Sequence, residues 1–213
     1  MARSLGRVHA DAPSTGSGGH VSRSRIPGVR YGTVERHADE RGAFRELWRA
    51  STVGPIDPAD AGAAPGATPS FVQANLSTSA PGVIRGLHLH RHQLDRWVIG
   101  SGRAFIALVD TRPMLAGGPT PVVETRLLGA DDWVQIPAGV AHGFMALEPV
   151  ELVYLVTTEY DGQDERGFAW DDPLAAVPWP LPAPTPDGRP ILSDRDRSNP
   201  SLAELVSQLR TRD

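Results

Sequence analysis

The sequence contains no cysteine and no lysine. Without cysteine the protein has no disulfide, no thiolate nucleophile and no cysteine-ligated zinc. All 21 basic residues are arginines, so lysine plays no part in any site of this chain. No apolar run approaches the length of a membrane span, and no charged-then-apolar signal segment opens the sequence. We therefore expect a soluble cytoplasmic protein without a membrane partner.

The length, composition and net charge further limit the class of protein and its possible partners. The 213 residues are 40% hydrophobic and 22% charged, which is ordinary for a globular protein. A formal net charge of -4 gives no electrostatic reason to expect nucleic acid or an anionic membrane as partner. Residues 1–24 are rich in Gly, Ser, Arg and His, which predicts a disordered leader. Residues 25–213 are expected to form a single domain.

Short alternating segments between glycine and proline turns predict an all-β protein, built as an antiparallel barrel or jelly roll. A turn at residues 100–102 separates the two main β-rich runs. After Asp161 a proline-rich tail is expected to run extended to Pro190. Residues 202–209 have the spacing of a short terminal helix. The predicted strands are residues 26–31, 44–48, 71–77, two runs within 82–112, 122–128, 133–136, 144–147 and 151–158.

Three histidines are candidates for the chemistry. His88 and His90 are two residues apart in a β-rich run. Because side chains alternate faces along a strand, both imidazoles are expected to point the same way. The stretch IPAGVAHGF at residues 136–144 adds His142 after a Pro-x-Gly turn. Since neutral imidazole is the natural base near neutral pH, we expect the function in a polar cavity inside the barrel.

The histidine spacing is similar to the two metal-binding motifs of cupins. The first, Gly-x5-His-x-His-x4-Asp-x6-Gly, starts at residue 82 and contains His88, His90 and Asp95, with Asp in place of the usual Glu. The second, Pro-x-Gly-x-x-His, ends at His142, and Ala146 stands where cupins usually carry Asn. Three imidazoles and a carboxylate suit Fe, Mn, Ni or Zn. Because the second motif is incomplete, we expect no metal cofactor.

Further motifs run through most of the chain in one order. They are DERGAFRE at residues 39–46, FVQAN at 71–75, VIRGLH at 83–88, VDTR at 109–112, IPAGVAHGF at 136–144, Tyr154, RGFAWDDP at 166–173 and LSDRD at 192–196. Together they resemble the dTDP-4-dehydrorhamnose 3,5-epimerase family, cupin-fold enzymes of nucleotide-sugar metabolism. The resemblance covers about residues 26–196 and implies a cupin-type barrel, a homodimer and a dTDP-linked sugar as substrate.

The resemblance also implies roles for individual residues. His88 matches the family's base, Asp196 the partner that orients it, and Tyr154 the proton donor on the opposite face of the sugar. The base removes a proton next to the keto group of a 4-keto sugar, and the acid returns one to the other face. The expected substrate-binding residues are Arg41 and Glu46, which would reach across the dimer interface, Arg85 at the diphosphate, Gln73 and Asn75 in the pocket, and His90, Arg96, His142 and Tyr160.

The chain departs from the family pattern at the pocket. The family usually carries a Lys, which helps to stabilise the enolate, in the strand after the catalytic histidine. Strict alternation places Asp95 at that position, with Arg96 beside it as the candidate cation. His90 replaces a Gln, and Glu159-Tyr160 stands where the family has Tyr-Tyr. An epimerase of another deoxysugar, acting at C3, C5 or both, therefore fits as well as the rhamnose enzyme.

Two other classes stay open at this point. One is a metal-dependent cupin oxygenase or isomerase that uses His88, His90, Asp95 and His142. The other is a non-catalytic sugar-binding cupin, although the retained His88, Tyr154 and Asp196 speak against it. Metal analysis tests the first class, and proton exchange with a 4-keto sugar nucleotide tests the second.

Overall fold

The computed structural model describes residues 22–211. Residues 1–21 of the expected leader lie outside this range. Ser22–Arg23 already pair with the next strand at Tyr31 and Arg30. The Ser24 hydroxyl donates to a Glu124 carboxylate oxygen over 2.9 Å. Residues 22–24 are thus bonded to the sheets of the barrel.

The described residues form thirteen strands and four short helices. The strands are β1 (Ser22–Arg23), β2 (Arg30–Thr33), β3 (Arg36–Asp39), β4 (Gly42–Arg45), β5 (Gln73–Ser79), β6 (Ile84–Leu89), β7 (Asp95–Ser101), β8 (Arg103–Asp110), β9 (Val122–Gly129), β10 (Asp132–Ile136), β11 (Val140–Ala146), β12 (Val150–Val156) and β13 (Arg166–Gly167). The helices are α1 (Ala50–Val53), α2 (Arg112–Leu115), α3 (Asp194–Arg197) and α4 (Leu202–Arg210). None of these helices has the length and apolarity needed to span a membrane.

Two antiparallel sheets face each other and make the barrel. One sheet has the order β1-β2-β10-β7-β12-β5, and the other the order β13-β6-β11-β8-β9. Among the strands of residues 22–211, β3 and β4 pair only with each other, as a separate hairpin. The expected all-β, cupin-type jelly roll with a proline-rich tail and a terminal helix is confirmed.

Alternation along the strands fills two apolar layers. Between the sheets, Trp97, Ile99 and Leu152 from one side pack with Leu108 and Phe144 from the other. Burying each such side chain contributes roughly 1.5–3 kcal/mol, which is what holds the sheets together. The second layer lies on the outer face of the five-stranded sheet, where strand residues pack against the C-terminal segment.

The C-terminal segment is fixed by buried aromatics and one carboxylate. Phe168 is fully buried and Trp179 is nearly so. The Asp172 carboxylate accepts a hydrogen bond from the Leu202 backbone N–H over 2.9 Å at the start of α4. A capping box of Ser201 and Glu204 begins that helix. The tail therefore covers the outer face of the five-stranded sheet.

Several boundaries differ from the sequence expectations. The first predicted strand starts later, at Arg30, because residues 26–29 form a turn closed by the Val29 N–H and the Ile26 carbonyl. The strand predicted at 44–48 ends at Arg45. Helices α2 and α3 were not predicted, since each is only four residues long and too short to show a helical period.

Candidate active site

A cavity of about 460 Å³ opens between the two sheets. One wall is formed by β6 and β11 of the five-stranded sheet, and the other by β5, β7 and β12 of the six-stranded sheet. Its lining residues are Gln73, Asn75, Ser77, Arg85, His88, His90, Gln93, Asp95, Trp97, His142, Phe144, Leu152, Tyr154, Val156, Tyr160, Glu165 and Arg195. Polar groups therefore converge on the barrel interior, where the histidine pattern predicts a site.

His88 is paired with a buried carboxylate. Its Nε2 lies 2.7 Å from Asp196 Oδ1, and the His88 side chain is 26% exposed while Asp196 is 5% exposed. Asp196 lies in α3, and its backbone N–H donates a hydrogen bond to the hydroxyl of Ser193 at the start of that helix. Burial opposes ionisation of Asp196, but hydrogen bonds from His88, Ser193 and the Gly86 N–H lower its pKa below the ordinary value.

The ionised carboxylate fixes the imidazole tautomer. Since Asp196 can only accept, His88 Nε2 carries the proton and donates it to the carboxylate. The Nδ1 nitrogen is then the unprotonated, basic nitrogen of the ring. The arrangement makes His88 able to accept a proton from a bound molecule.

Tyr154 lies on the opposite wall, in β12. Its side chain is half-buried and packs against the apolar layer between the sheets. Burial raises the pKa of its phenol, the negative charges of Asp95 and Glu165 raise it further, and Arg85 opposes them. Tyr154 therefore keeps its proton at neutral pH and can donate it.

Arg85 supplies a cation at the edge of the cavity. Its Nε donates to the Ser79 hydroxyl and its Nη2 to the Thr78 carbonyl, each over 3.0 Å. The side chain remains exposed, which leaves the guanidinium accessible to an anionic group. Gln73, Asn75 and Tyr160 form a hydrogen-bonded chain nearby, in which Gln73 donates to Asn75 and accepts from the Tyr160 N–H, both over 2.9 Å.

His90, Asp95 and His142 form a buried cluster at the cavity wall. Their potential ligand atoms all lie within 4.8 Å of one another. Asp95 and not Arg96 faces the cavity, as the alternation of side chains along a strand predicts. Burial lowers the pKa of His142 to about 4, with His90 and His88 adding to the effect and Asp95 opposing it.

Three of the expected substrate-binding residues lie outside the cavity. Arg96 is on the other face of β7, where its guanidinium stacks 3.8 Å from the centre of the Trp133 ring. The expectation that Arg96 supplies the cavity cation is thus wrong for the described residues, because the two-residue period of a strand turns it outward. Arg41 and Glu46 belong to the exposed hairpin region and pair locally with Asp39 and Arg49.

The structure adds lining residues that the sequence reasoning missed. Gln93 and Trp97 both donate to the Asp95 carboxylate, over 2.7 and 3.2 Å. Trp97 follows Asp95 by two residues, so strand alternation could have placed it in the cavity. Arg195 and Glu165 form an ion pair at the mouth. The sequence signal for this ion pair was that Arg195 directly precedes Asp196 in the chain.

Replacing Asp196 by Asn is expected to lower the free energy of unfolding at neutral pH by about 1–3 kcal/mol, because a buried charge-assisted hydrogen bond is lost. Since the folded state lowers the pKa of Asp196, its contribution is present above the unfolded pKa of about 3.9 and is lost as the pH falls through the folded value. Urea unfolding of both proteins should therefore give a difference that shrinks below about pH 4. Asp194→Asn, an exposed change in the same helix, is the control; an equal pH-independent loss in both variants would contradict the pairing.

The fold is a jelly-roll barrel with an interior cavity, as in cupins. A histidine–carboxylate pair on one wall and a tyrosine on the other are the groups that an enzyme of proton transfer uses. The family model for dTDP-4-dehydrorhamnose 3,5-epimerase matches residues 23–204. The chain belongs to this family of sugar-nucleotide epimerases, which are isomerases.

Individual relatives agree with the family assignment. The dTDP-4-dehydrorhamnose 3,5-epimerase of Sinorhizobium fredii is 38% identical over 175 residues, 76% of each chain. NovW of Streptomyces spheroides, a 4-keto-6-deoxy sugar epimerase from the novobiocin gene cluster, is 30% identical with a TM-score of 0.73, over 94% of this chain and 96% of its own. ChmJ of Streptomyces bikiniensis, a 3'-monoepimerase in complex with dTDP-quinovose, is 27% identical with a TM-score of 0.69, over 87% and 89%. The family match does not favour the metal-dependent oxygenase.

Proposed function

We propose that this protein epimerises a dTDP-4-keto-6-deoxy sugar at C3, C5 or both in deoxysugar biosynthesis, with His88 as the base and Tyr154 as the acid. The observation that carries the proposal is their placement on opposite walls of one cavity, with His88 oriented by Asp196 at 2.7 Å. Inversion of a carbon needs proton removal on one face and proton return on the other. Groups on facing walls meet that requirement.

The reaction follows from the acidity of the substrate. Protons at C3 and C5 of a 4-keto sugar lie next to the carbonyl, so their removal leaves an enolate. His88 Nδ1 takes the proton, and Asp196 stabilises the resulting imidazolium. The Tyr154 phenol then gives its proton to the opposite face of the same carbon, which restores the ketone with inverted configuration. Solvent exchanges with both groups and resets them for the next turnover.

Substrate binding is proposed to divide between the cavity and its edge. A volume of about 460 Å³ falls within the range of small-molecule sites. Arg85 is the proposed contact for the diphosphate, since a guanidinium binds phosphate oxygens in paired hydrogen bonds. Gln73, Asn75 and Tyr160 offer amide and hydroxyl groups to the sugar nucleotide. His90 and His142 line the opposite wall and are proposed to shape the part of the pocket that holds the sugar.

The proposal is tested with dTDP-4-keto-6-deoxy-D-glucose in D₂O, following the sugar by NMR. We expect deuterium at C3, at C5 or at both, accompanied by the epimerised product. Because the relatives include 3,5-epimerases and a 3'-monoepimerase, the two positions are read separately. A protein that binds the nucleotide sugar without exchange at either carbon would instead be a non-catalytic binding cupin.

We also propose that residues 25–213 form one domain, that the active form is a cytoplasmic homodimer, and that Arg41 and Glu46 contact the substrate of the partner subunit. The hairpin of β3 and β4 supports the dimer, because Phe44 on it is 67% exposed although large and apolar. Exposed apolar surface of this kind commonly marks an interface. In the described chain the hairpin pairs with no strand outside itself.

Light scattering at micromolar concentration should give the mass of a dimer. Phe44→Asp is expected to shift the protein toward monomer, since a charge would be buried in the interface. Leu127→Asp serves as the matched control, because Leu127 is 51% exposed on β9 of the other sheet. A wild-type monomer at these concentrations would refute the dimer.

A further inference from the structure

We propose that His90, Asp95 and His142 bind one divalent first-row transition metal ion, such as Zn²⁺, Mn²⁺, Fe²⁺ or Co²⁺, with its open coordination positions facing the cavity of His88 and Tyr154. Two imidazoles and one carboxylate are a donor set that such ions accept, and a fourth position left open admits water or substrate. All three side chains are buried, with ligand atoms within 4.8 Å of one another.

The hydrogen bonds around the imidazoles prepare them as ligands. His90 Nδ1 lies 2.9 Å from the Asp164 carbonyl, and His142 Nδ1 lies 3.1 Å from the Val140 carbonyl. A carbonyl can only accept, so each Nδ1 carries a proton and each Nε2 is free to bind a metal. Backbone carbonyls that hold the distal nitrogen are the usual outer partners of metal-bound histidine. Both rings therefore have the tautomer that a metal site requires.

The carboxylate completes the set. His142 Nε2 lies 3.7 Å from Asp95 Oδ2, which is too long for a hydrogen bond. Two donors each about 2.1 Å from one ion are separated by roughly 3–4 Å, so the distance suits ligands that share a metal. Gln93 and Trp97 donate to the same carboxylate and hold it in place.

Charge balance points the same way. Asp95 is 5% exposed, and its carboxylate accepts hydrogen bonds from the neutral Gln93 amide and Trp97 indole, with the His142 imidazole nearby. Arg96 of the same strand faces away. Burying a carboxylate among neutral donors is costly, and a bound metal ion lowers that cost. The cluster joins β7 of one sheet to β11 of the other.

The metal would place positive charge beside the site of enolate formation, a role that rests on the proposed function. Ala146 at the Asn position of the second cupin motif does not count against this site, because three protein ligands are enough for a metal with open positions. The sequence expectation of a metal-free protein is replaced here by a proposal from the three-dimensional arrangement.

The test begins with chelator-treated protein that is titrated with Co²⁺ and with Zn²⁺. Calorimetry measures the binding of both ions, and visible absorption reports the coordination of Co²⁺. We expect one ion per chain in the wild type. In Asp95→Asn and in His90→Gln the affinity for the ion should fall by at least the roughly 10–100-fold that follows when the surroundings of a metal site are disturbed. His92→Gln is the matched control, because His92 is exposed and bonded to the Gly62 carbonyl away from the cavity. Undiminished binding in both site variants would overturn the proposal.

Anomalous scattering from Co²⁺-soaked wild-type crystals decides the location without any variant. A peak about 2.0–2.2 Å from the three side chains supports the site, and no peak there refutes it. Proton exchange is measured in parallel on the metal-free and loaded protein. Proton exchange in a protein that binds no metal would refute the metal site and support the proposed epimerase function. Metal binding without proton exchange in either form would refute the proposed function and support the metal site.

Discussion

His88→Asn is expected to abolish deuterium incorporation into dTDP-4-keto-6-deoxy-D-glucose at both C3 and C5. The rate should fall by at least the roughly 10²–10⁴-fold that a general base contributes. The reason is that His88 is the group on its wall whose tautomer is set by a carboxylate, at 2.7 Å from Asp196. Without it the enolate does not form, so no later step can exchange a proton. NMR in D₂O measures the loss.

His92→Asn is the control for this variant. His92 lies four residues further along the chain, is exposed and contacts the Gly62 carbonyl instead of the cavity. It should exchange at the wild-type rate. Full exchange in His88→Asn, with a normal circular dichroism spectrum, would show that another residue is the base.

Tyr154→Phe is expected to separate exchange from inversion. The ring and its packing stay, but the phenolic proton is lost. His88 can still remove a proton and return deuterium to the same face, so incorporation continues with retained configuration. Net epimerisation should fall by roughly 10²–10⁴-fold, the usual contribution of a general acid. The measurement compares deuterium at C3 and C5 with the amount of epimerised sugar.

The matched control is Tyr31→Phe, which removes a hydroxyl that donates to Glu124 over 2.8 Å in the core and not in the cavity. Its ratio of exchange to inversion should equal that of the wild type. If exchange and inversion fell together in Tyr154→Phe, the tyrosine would act in binding or in the first proton transfer, and the assignment of the acid would be wrong.

Much of the fold follows from local pattern. Alternation of apolar and polar residues predicts β9 and β12 to within two residues at each end. The helical spacing of residues 202–209 predicts α4 to within one residue at its C-terminal end. The helices of four residues escape such reasoning, because one turn carries no period and depends on what packs against it.

Some features of the site could likewise be predicted from local sequence pattern, and others could not. Strand alternation correctly placed His90 and Asp95 toward one cavity. The expectation of Arg96 as its cation was wrong, because Arg96 lies on the other face of its strand. The pairing of His88 with Asp196 spans 108 residues and could not be read from spacing; family resemblance suggested it, and the packing of α3 against β6 produces it. The hydrogen bond that fixes the His90 tautomer depends on the loop at Asp164, whose approach no local pattern specifies, whereas the bond of His142 goes to Val140 in the same strand.

His88 and Tyr154 are proposed to act on one sugar from opposite faces. A crystal structure of the protein with a bound, unreactive dTDP-sugar tests this placement. We expect the sugar ring inside the barrel between these two side chains, with the diphosphate at Arg85. A sugar bound outside the barrel, or one with both side chains on the same face of the ring, would contradict it.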